Sequence, residues 1–245
     1  MAVRLKTEDK IYEGKAKILY RTRKPEVLLQ FFKDDATAFN AEKKATIAGK
    51  GQLNCAISTL LFSEIKSDLG SKLPTHWLKT LDERTMRVKR VDIVKIEVVV
   101  RNIVAGSMRK RAPLDEGAPI DPPVVEFFYK DDSLGDPMIN DDHVRLLNLA
   151  SPAEVKKIRV MALAANAWLR ARMDRAGMTL VDIKFEFGRD AKGKLLLADE
   201  ICPDTCRLWD KQTRRKLDKD NFRFDLGSLT DSYSEVLKRL QSTAA

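Results

Sequence analysis

The sequence predicts an α+β fold, in which strands and helices mix without strict alternation. Short runs of β-branched and aromatic residues indicate strands, and two long stretches with apolar residues at helical spacing indicate helices. A doubly wound parallel sheet needs strands and helices to alternate regularly, and this chain does not show that order. At 245 residues, 44% of them hydrophobic, the chain is long enough for a sizeable core in one domain or two lobes.

Short strands around one helix are predicted for the first part of the chain. The predicted strands are residues 10–12, 16–21 and 27–32. They are broken at Gly14 and at Lys24-Pro25, as expected for turns. Apolar residues then recur at helical spacing, which predicts a helix over residues 46–67 that Gly70 ends.

The rest of the chain adds strands, one long helix and a hairpin. Ser151, Pro152 and Glu154 form a capping-box sequence with proline at the first helical position, which predicts a helix over residues 151–176. The other predicted elements are strands at residues 86–94, 96–104 and 124–129, a hairpin of residues 180–187 and 194–199, and a helix over residues 232–240.

Composition argues against several classes of protein. The longest apolar runs, such as Val98-Val99-Val100, are far shorter than the ~20 residues that a membrane helix needs. Residues 1–8 lack the apolar core of a signal peptide, so we expect a cytoplasmic protein with no membrane partner. Three cysteines and two histidines argue against a disulfide framework and against a structural zinc site.

The net charge of +9 leaves three interpretations open. The basic residues are spread along the chain, and the densest cluster, residues 211–219, has no interleaved aromatic residues. A solvated basic face is therefore favoured over a polynucleotide groove. The third interpretation is a site for small polyanionic substrates, which need several cationic contacts. The motifs favour this third interpretation, with no nucleic-acid partner.

Charged side chains share one face of the predicted strand at residues 180–187. Asp182, Lys184 and Glu186 alternate with apolar residues, and the partner strand of the hairpin ends at Asp199-Glu200. Such a face is ordinarily solvated. Alternatively, two neighbouring strands with terminal carboxylates hold a hard cation, and substrate phosphates supply further oxygens.

Two further segments carry groups that bind anions. Lys15 and Lys17 follow a glycine turn. Such a turn can bring backbone N–H donors and ammonium groups to a polyphosphate. Arg101 and Ser107 lie at a strand end, where they bind an anion or else form a salt bridge or helix cap. Residues 32–40 alone indicate a polar turn. The sequence has no Walker A, GxGxxG or protein-kinase motif, so a nucleotide site here is of another kind.

Taken in order, these segments resemble the phosphoribosylaminoimidazole-succinocarboxamide synthase (SAICAR synthetase) family. The matching runs are YEGKAK (12–17), FKDDATAFN (32–40), VVVRNIVAGS (98–107), YKDDSLGDPMI (129–139), LVDIKFEFG (180–188), LADEICPDTCRLWD (197–210) and LDKDNFR (217–223). Two positions depart from the family pattern, since Ala41 replaces a usual glycine and Cys202 a usual serine or threonine. Neither removes a charged group, so they affect loop geometry rather than the expected activity.

The resemblance implies an ATP-dependent C–N ligase of purine biosynthesis. Such an enzyme joins the carboxylate of carboxyaminoimidazole ribotide (CAIR) to the amino group of L-aspartate through an acyl phosphate, yielding SAICAR, ADP and phosphate. It also implies a two-lobed α+β fold with ATP between the lobes. Residues 1–90 would form a sheet lobe that contacts nucleotide phosphates, and residues 91–245 a larger lobe for substrates and metal. A homodimer is expected, because the family is often dimeric.

The family's functional residues carry over motif by motif. The residues expected to bind ATP are Lys15, Ala16, Lys17, Lys130, Glu186 and Asp199. The last two carboxylates are also the expected Mg²⁺ ligands. The residues expected to hold CAIR are Arg101, Ser107, Asp204 and Arg207. The expected catalytic residues are Asp182, Lys184 and Arg207.

Two rival functions stay open at this point. An ATP-dependent small-molecule kinase of related architecture would use the same lysine turn and acidic strand ends, but it would release a stable phosphorylated product without aspartate. A basic nucleic-acid binder, favoured only by the charge, would show steep salt dependence and no ATP turnover.

Overall fold

The computed structural model describes residues 5–39 and 42–243. Its first sheet is formed within the first 90 residues. The strands of this part are β1 (Lys10–Glu13), β2 (Lys17–Arg21), β3 (Val27–Phe32), β4 (Asp35–Ala38), β5 (Lys43–Thr46), β6 (Trp77–Asp82) and β7 (Thr85–Lys89). Five of them form an antiparallel sheet in the order β1-β2-β3-β7-β6. The three strands predicted before residue 33 are confirmed. Ala41, the first departure from the family pattern, lies outside the described residues.

The polar turn predicted at residues 32–40 is wrong, because β4 and β5 pair there as a separate ribbon. Ala36 and Ala38 on β4 are buried. Asp34, just before β4, accepts two hydrogen bonds from Arg84 at 2.8 and 2.9 Å. The segment is therefore held by burial and by an ion pair to a residue that is distant in sequence.

The second sheet is also antiparallel and uses the strands β8 (Asp92–Ile103), β9 (Pro119–Tyr129), β10 (Met138–Ile139), β11 (Met178–Arg189), β12 (Leu195–Ala198) and β13 (Cys206–Asp210). Its order is β10-β9-β8-β11-β12, and β13 also pairs with β11. The predicted hairpin is confirmed, with Glu186 opposite Ala198. The predicted break near residue 95 is wrong. Val94, Ile96 and Val98 alternate on one buried face, so the strand continues through this point.

The helices are α1 (Lys50–Asp68), α2 (Asp141–Leu146), α3 (Pro152–Arg175), α4 (Asp220–Arg223) and α5 (Leu229–Ser242). The predicted capping box opens α3, where Glu154 donates its backbone N–H to Ser151 Oγ at 3.3 Å and accepts from the Ser151 N–H at 3.0 Å. The predicted helix over residues 46–67 begins later, at Lys50. Within the described ranges, no helix has the length and apolarity to cross a membrane.

The main core lies between α3 and the second sheet. Ile158, Ala162 and Leu169 of α3 are buried in one cluster with Ile183 and Phe185 of β11. The charged residues of β11, which are Asp182, Lys184 and Glu186, alternate with these core residues and therefore lie on the opposite face of the strand. The α+β class is confirmed, whereas the division into lobes at residue 90 stays a prediction.

Candidate active site

A polar cleft of about 350 Å³ is lined by residues from both sheets and the loops that follow their strands, and also by residues at β4 and at α4. Every residue that the sequence predicts for the site lines this cleft, except Ser107. Ser107 accepts a hydrogen bond from the cleft residue Arg101 at 3.0 Å. The fold therefore brings the predicted residues together, while their individual roles stay predictions.

The turn between β1 and β2 carries the predicted phosphate-binding residues. The Gly14 N–H donates to the Lys17 carbonyl at 2.9 Å, and the Ala16 carbonyl accepts from the Lys33 N–H at 2.8 Å. Lys15 reaches across to Asp132 after β9, with 2.7 Å between Nζ and Oδ1. This turn thus presents two ammonium groups to the cleft.

Glu186 is a buried carboxylate between two lysines. It is 4% exposed and accepts from Lys130 Nζ at 2.6 Å and from Lys184 Nζ at 3.1 Å. Burial raises its pKa, but the charges of Lys184, Lys130 and Lys17 outweigh this effect and hold the pKa well below the usual value. Lys184 also donates to Glu97 at 2.6 Å. Burial lowers the pKa of Lys184, but the carboxylates of Glu186 and Glu97 together raise this pKa above its ordinary value. Lys184 and Glu186 are therefore both charged.

Asp199 lies at the end of β12, beside Glu186 in the hairpin. Its backbone is left-handed, with φ +66°, a conformation that aspartate and asparagine adopt more readily than most residues. Lys17 forms ion pairs with Asp199 and with Glu200, the latter at 2.6 Å. The turn therefore directs two consecutive carboxylates to one ammonium group.

The donor set of Glu186 and Asp199 fits a magnesium ion that arrives with a polyphosphate. Among the described residues, no group of three or more His, Cys, Asp or Glu side chains is arranged to hold a metal alone. Mg²⁺ is usually bound through one or two carboxylates together with substrate phosphates and water. The deprotonated state of Glu186 suits this role.

Asp182 lies between two arginines because of the strand register. On β11 it pairs with Arg101 of β8 on one side and with Arg207 of β13 on the other. Its Oδ2 accepts from Arg101 at 3.0 Å and from Arg207 at 2.8 Å. Arg207 also donates to Asp220 at 3.2 Å. Gly106, at φ +57°, lies under this guanidinium, and an added Cβ would come within 2.6 Å of it. The result is a fixed pair of guanidinium groups suited to an anionic ligand.

Asp204 is predicted to hold substrate, and most of its acceptor capacity is used by protein groups. Its side chain is 3% exposed and pairs with Lys50 Nζ at 2.6 Å. Asn54 donates to it at 2.9 Å and the Tyr233 hydroxyl at 2.7 Å. Burial raises its pKa, but the charges of Lys219 and Lys50 bring the pKa well below the usual value. Asp204 therefore anchors its loop to α1 and α5, with little acceptor capacity left for a ligand.

A second, more apolar pocket of about 460 Å³ adjoins the cleft and shares Lys17, Lys130, Glu186 and Asp199 with it. Its apolar walls are Leu19, Leu28, Val88, Val91 and Ile93. Motif reasoning missed these residues because they carry no charge, although Leu19 and Leu28 lie on two predicted strands.

His76 also lines this second pocket and was not predicted from the sequence. It is 3% exposed, and its Nε2 has no hydrogen-bond partner within the described part of the chain. Burial lowers the pKa of His76 to about 3, so the ring is neutral.

Comparison with known proteins gives a consistent result. The family model described as SAICAR synthetase matches residues 10–240. Relatives called phosphoribosylaminoimidazole-succinocarboxamide synthase include one from Lysinibacillus sphaericus, 55% identical over 94% of this chain and 96% of the relative. Another, from Bacillus subtilis, is 50% identical over 94% of each chain.

Solved structures agree. The synthase of Ehrlichia chaffeensis is 42% identical with a TM-score of 0.91, covering 96% of this chain and 100% of the other. A SAICAR synthetase solved in complex with ADP is 45% identical with a TM-score of 0.90, covering 96% of this chain and 98% of the other.

Proposed function

This chain belongs to the SAICAR synthetase family, and from that premise we propose that the polar cleft is its active site. In this site ATP drives the ligation of CAIR with L-aspartate to give SAICAR, ADP and phosphate. The observation that carries the assignment is the pairing, in one cleft, of a lysine-flanked carboxylate site with a guanidinium pair. The first suits a metal-bound polyphosphate, and the second suits an anionic acceptor.

The nucleotide occupies both pockets in this proposal. The apolar walls of the second pocket receive the base, and the phosphates extend towards Lys15, Lys17 and Lys130. The relative solved with ADP supports nucleotide binding in this fold. When bound at Glu186 and Asp199, Mg²⁺ would neutralise negative charge on the phosphates during transfer.

The acceptor carboxylate must be activated before an amine can attack it, because its leaving group would otherwise be oxide. Transfer of the γ-phosphoryl group forms a bond to one carboxylate oxygen and breaks the bond to ADP. The amine of aspartate then forms the C–N bond and loses a proton, and phosphate leaves with that carboxylate oxygen. Arg101, Ser107 and Arg207 hold the anionic acceptor, and an ordered acceptor lowers the entropic cost of both steps.

Lys184 acts through its charge. Because the two neighbouring carboxylates raise its pKa, the ammonium group does not accept the proton that the amine loses. It lies beside Glu186, where it can stabilise negative charge on the acyl phosphate and on the departing phosphate. From the family resemblance we also propose a homodimer and a cytoplasmic location.

An isotope experiment tests this sequence of steps. CAIR labelled with oxygen-18 in both carboxylate oxygens should release inorganic phosphate that carries one labelled oxygen per amide formed. Unlabelled phosphate after complete conversion would exclude the acyl phosphate. A phosphorylated product that accumulates stably when aspartate is left out would instead identify a small-molecule kinase.

A further inference from the structure

The Ser107 hydroxyl receives hydrogen bonds from two arginines. Its Oγ accepts from Arg101 Nη2 at 3.0 Å and from Arg111 Nη1 at 3.1 Å. A serine hydroxyl has two acceptor positions and one proton. Since both acceptor positions are taken, the proton is free to be donated. Ser107 is exposed, so a ligand can reach this proton.

A buried carboxylate closes the same network on its other side. Glu126, 6% exposed, accepts from Arg101 Nε at 2.6 Å through Oε2 and from Arg111 Nη2 at 2.6 Å through Oε1. Arg101, Ser107, Arg111 and Glu126 therefore form a closed ring of four hydrogen bonds. The planar fork of each guanidinium allows it to bond both neighbours at once.

The two arginines of this ring differ in position. Arg101 lines the polar cleft, whereas Arg111 does not and has a side chain that is 32% exposed. The Arg111 guanidinium donates to Ser107 and to Glu126, and both of these groups also accept from Arg101. Its influence on the cleft passes through the two groups that it shares with Arg101.

We propose that Arg111 is a positioning residue for the acceptor substrate. By filling one acceptor position of Ser107, it directs the hydroxyl proton outwards, so that Ser107 donates to an anionic group held between Arg101 and Arg207. By pairing with Glu126 Oε1, it also keeps this carboxylate oxygen from competing for the Ser107 proton. This inference rests on the proposed placement of CAIR at these arginines.

A matched control lies in the same short turn. Arg109 forms an ion pair with Glu116 at 2.8 Å, and both side chains are exposed, at 54% and 37%. Arg109→Ala therefore removes an arginine of the same segment without touching Ser107. A kinetic effect that comes only from a less stable turn would therefore appear in both Arg111→Ala and Arg109→Ala.

The experiment is a double-mutant cycle of Arg111→Ala and Ser107→Ala, with Arg109→Ala as control. Steady-state rates give kcat and the KM values for CAIR and ATP, and thermal unfolding gives Tm. We expect Arg111→Ala to raise the KM for CAIR about tenfold, as for the loss of one hydrogen bond to a charged group. The KM for ATP should change less than about twofold in Arg111→Ala. In Arg109→Ala, kcat and both KM values should change less than about twofold. In the Ser107→Ala background, Arg111→Ala should have less than about a twofold further effect, because the group it positions is absent.

Three results would overturn the inference. The first is a KM for CAIR in Arg111→Ala that matches the Arg109→Ala control. The second is a pair of effects that multiply in the double variant, which would mean that Arg111 acts independently of Ser107. The third concerns Arg111→Lys, which also serves if the alanine variant does not fold. Lysine keeps the positive charge but not the planar guanidinium. An unchanged KM for CAIR in Arg111→Lys would therefore show that two-point bonding to Ser107 and Glu126 does not matter for CAIR binding. If instead Ser107→Ala alone leaves the KM for CAIR unchanged, the proposed placement of CAIR fails, which is a distinct outcome.

Discussion

Substitutions at Asp199 can separate the charge of this residue from its backbone conformation. The left-handed backbone, φ +66°, is readily adopted by asparagine and glycine, whereas in alanine it costs about 1–2 kcal/mol. Asp199→Asn and Asp199→Gly therefore keep the turn, and Asp199→Ala strains it. All three variants remove the carboxylate that contacts Lys17 and that we assign to Mg²⁺.

The neighbouring charges limit the effect on stability. Lys17 keeps its ion pair with Glu200 at 2.6 Å, so the loss of Asp199 leaves one lysine paired with one carboxylate. We therefore expect Asp199→Asn to lower the free energy of unfolding by only about 1 kcal/mol, far less than the removal of a sole partner from a buried pair. The rate should fall at least about 100-fold in all three variants, the size found when one charge-stabilising group is removed from an active site.

The assay combines two measurements. Rates of SAICAR formation are measured at saturating substrates over a range of Mg²⁺ concentrations, and unfolding in urea gives the stability of each variant. We expect equal losses of activity in the asparagine, glycine and alanine variants, with alanine alone showing the additional loss of stability. Normal activity and normal Mg²⁺ dependence in Asp199→Asn, together with low activity in Asp199→Ala, would show that only the turn matters and would refute the metal role.

Two further predictions concern the guanidinium pair and acid stability. Arg207→Lys should raise the KM for CAIR about tenfold, because lysine cannot hold Asp182 and Asp220 as a planar fork does, and unchanged steady-state kinetics would contradict the assignment. His76 has a pKa of about 3 when folded, below its ordinary value, so the unfolded chain binds more protons and stability falls as the pH drops below about 6.5. Between pH 7 and pH 5 this effect amounts to about 2 kcal/mol, and His76→Phe should remove it from urea unfolding curves. Burial and Asp220 raise the pKa of Asp218 to about 7, and this group makes the protein more stable as the pH falls. The contribution of Asp218 is the same in the unmodified protein and in His76→Phe, so it cancels when the two are compared. The same pH dependence in both would contradict the prediction.

Part of the site follows directly from local sequence. The alternation of Asp182, Lys184 and Glu186 fixes one strand face because the side-chain period of a strand is two. The hairpin then brings Asp199 beside Glu186, since its two strands are close in sequence. These contacts depend on short-range geometry, which a sequence pattern reveals.

The rest depends on contacts between distant segments. Sequence alone does not give the register that sets Asp182 between Arg101 and Arg207, because these arginines are 81 and 25 residues away in the chain and lie on two different partner strands. The same is true of the two ion-pair partners Asp34 and Arg84, which hold the ribbon that was predicted as a turn. The apolar pocket was missed for a different reason, since its leucines and valines resemble ordinary core residues.

The anchoring of Asp204 has a consequence for the order in which the enzyme assembles. One of its partners, Lys50, belongs to α1, and another, Tyr233, belongs to α5, which is synthesised much later. The loop that leads to Arg207 therefore lacks one of its anchors until α5 has been synthesised. A chain that stops before α5 lacks the Tyr233 hydroxyl that donates to Asp204, so the loop that carries Arg207 is not fully anchored until α5 has packed against it.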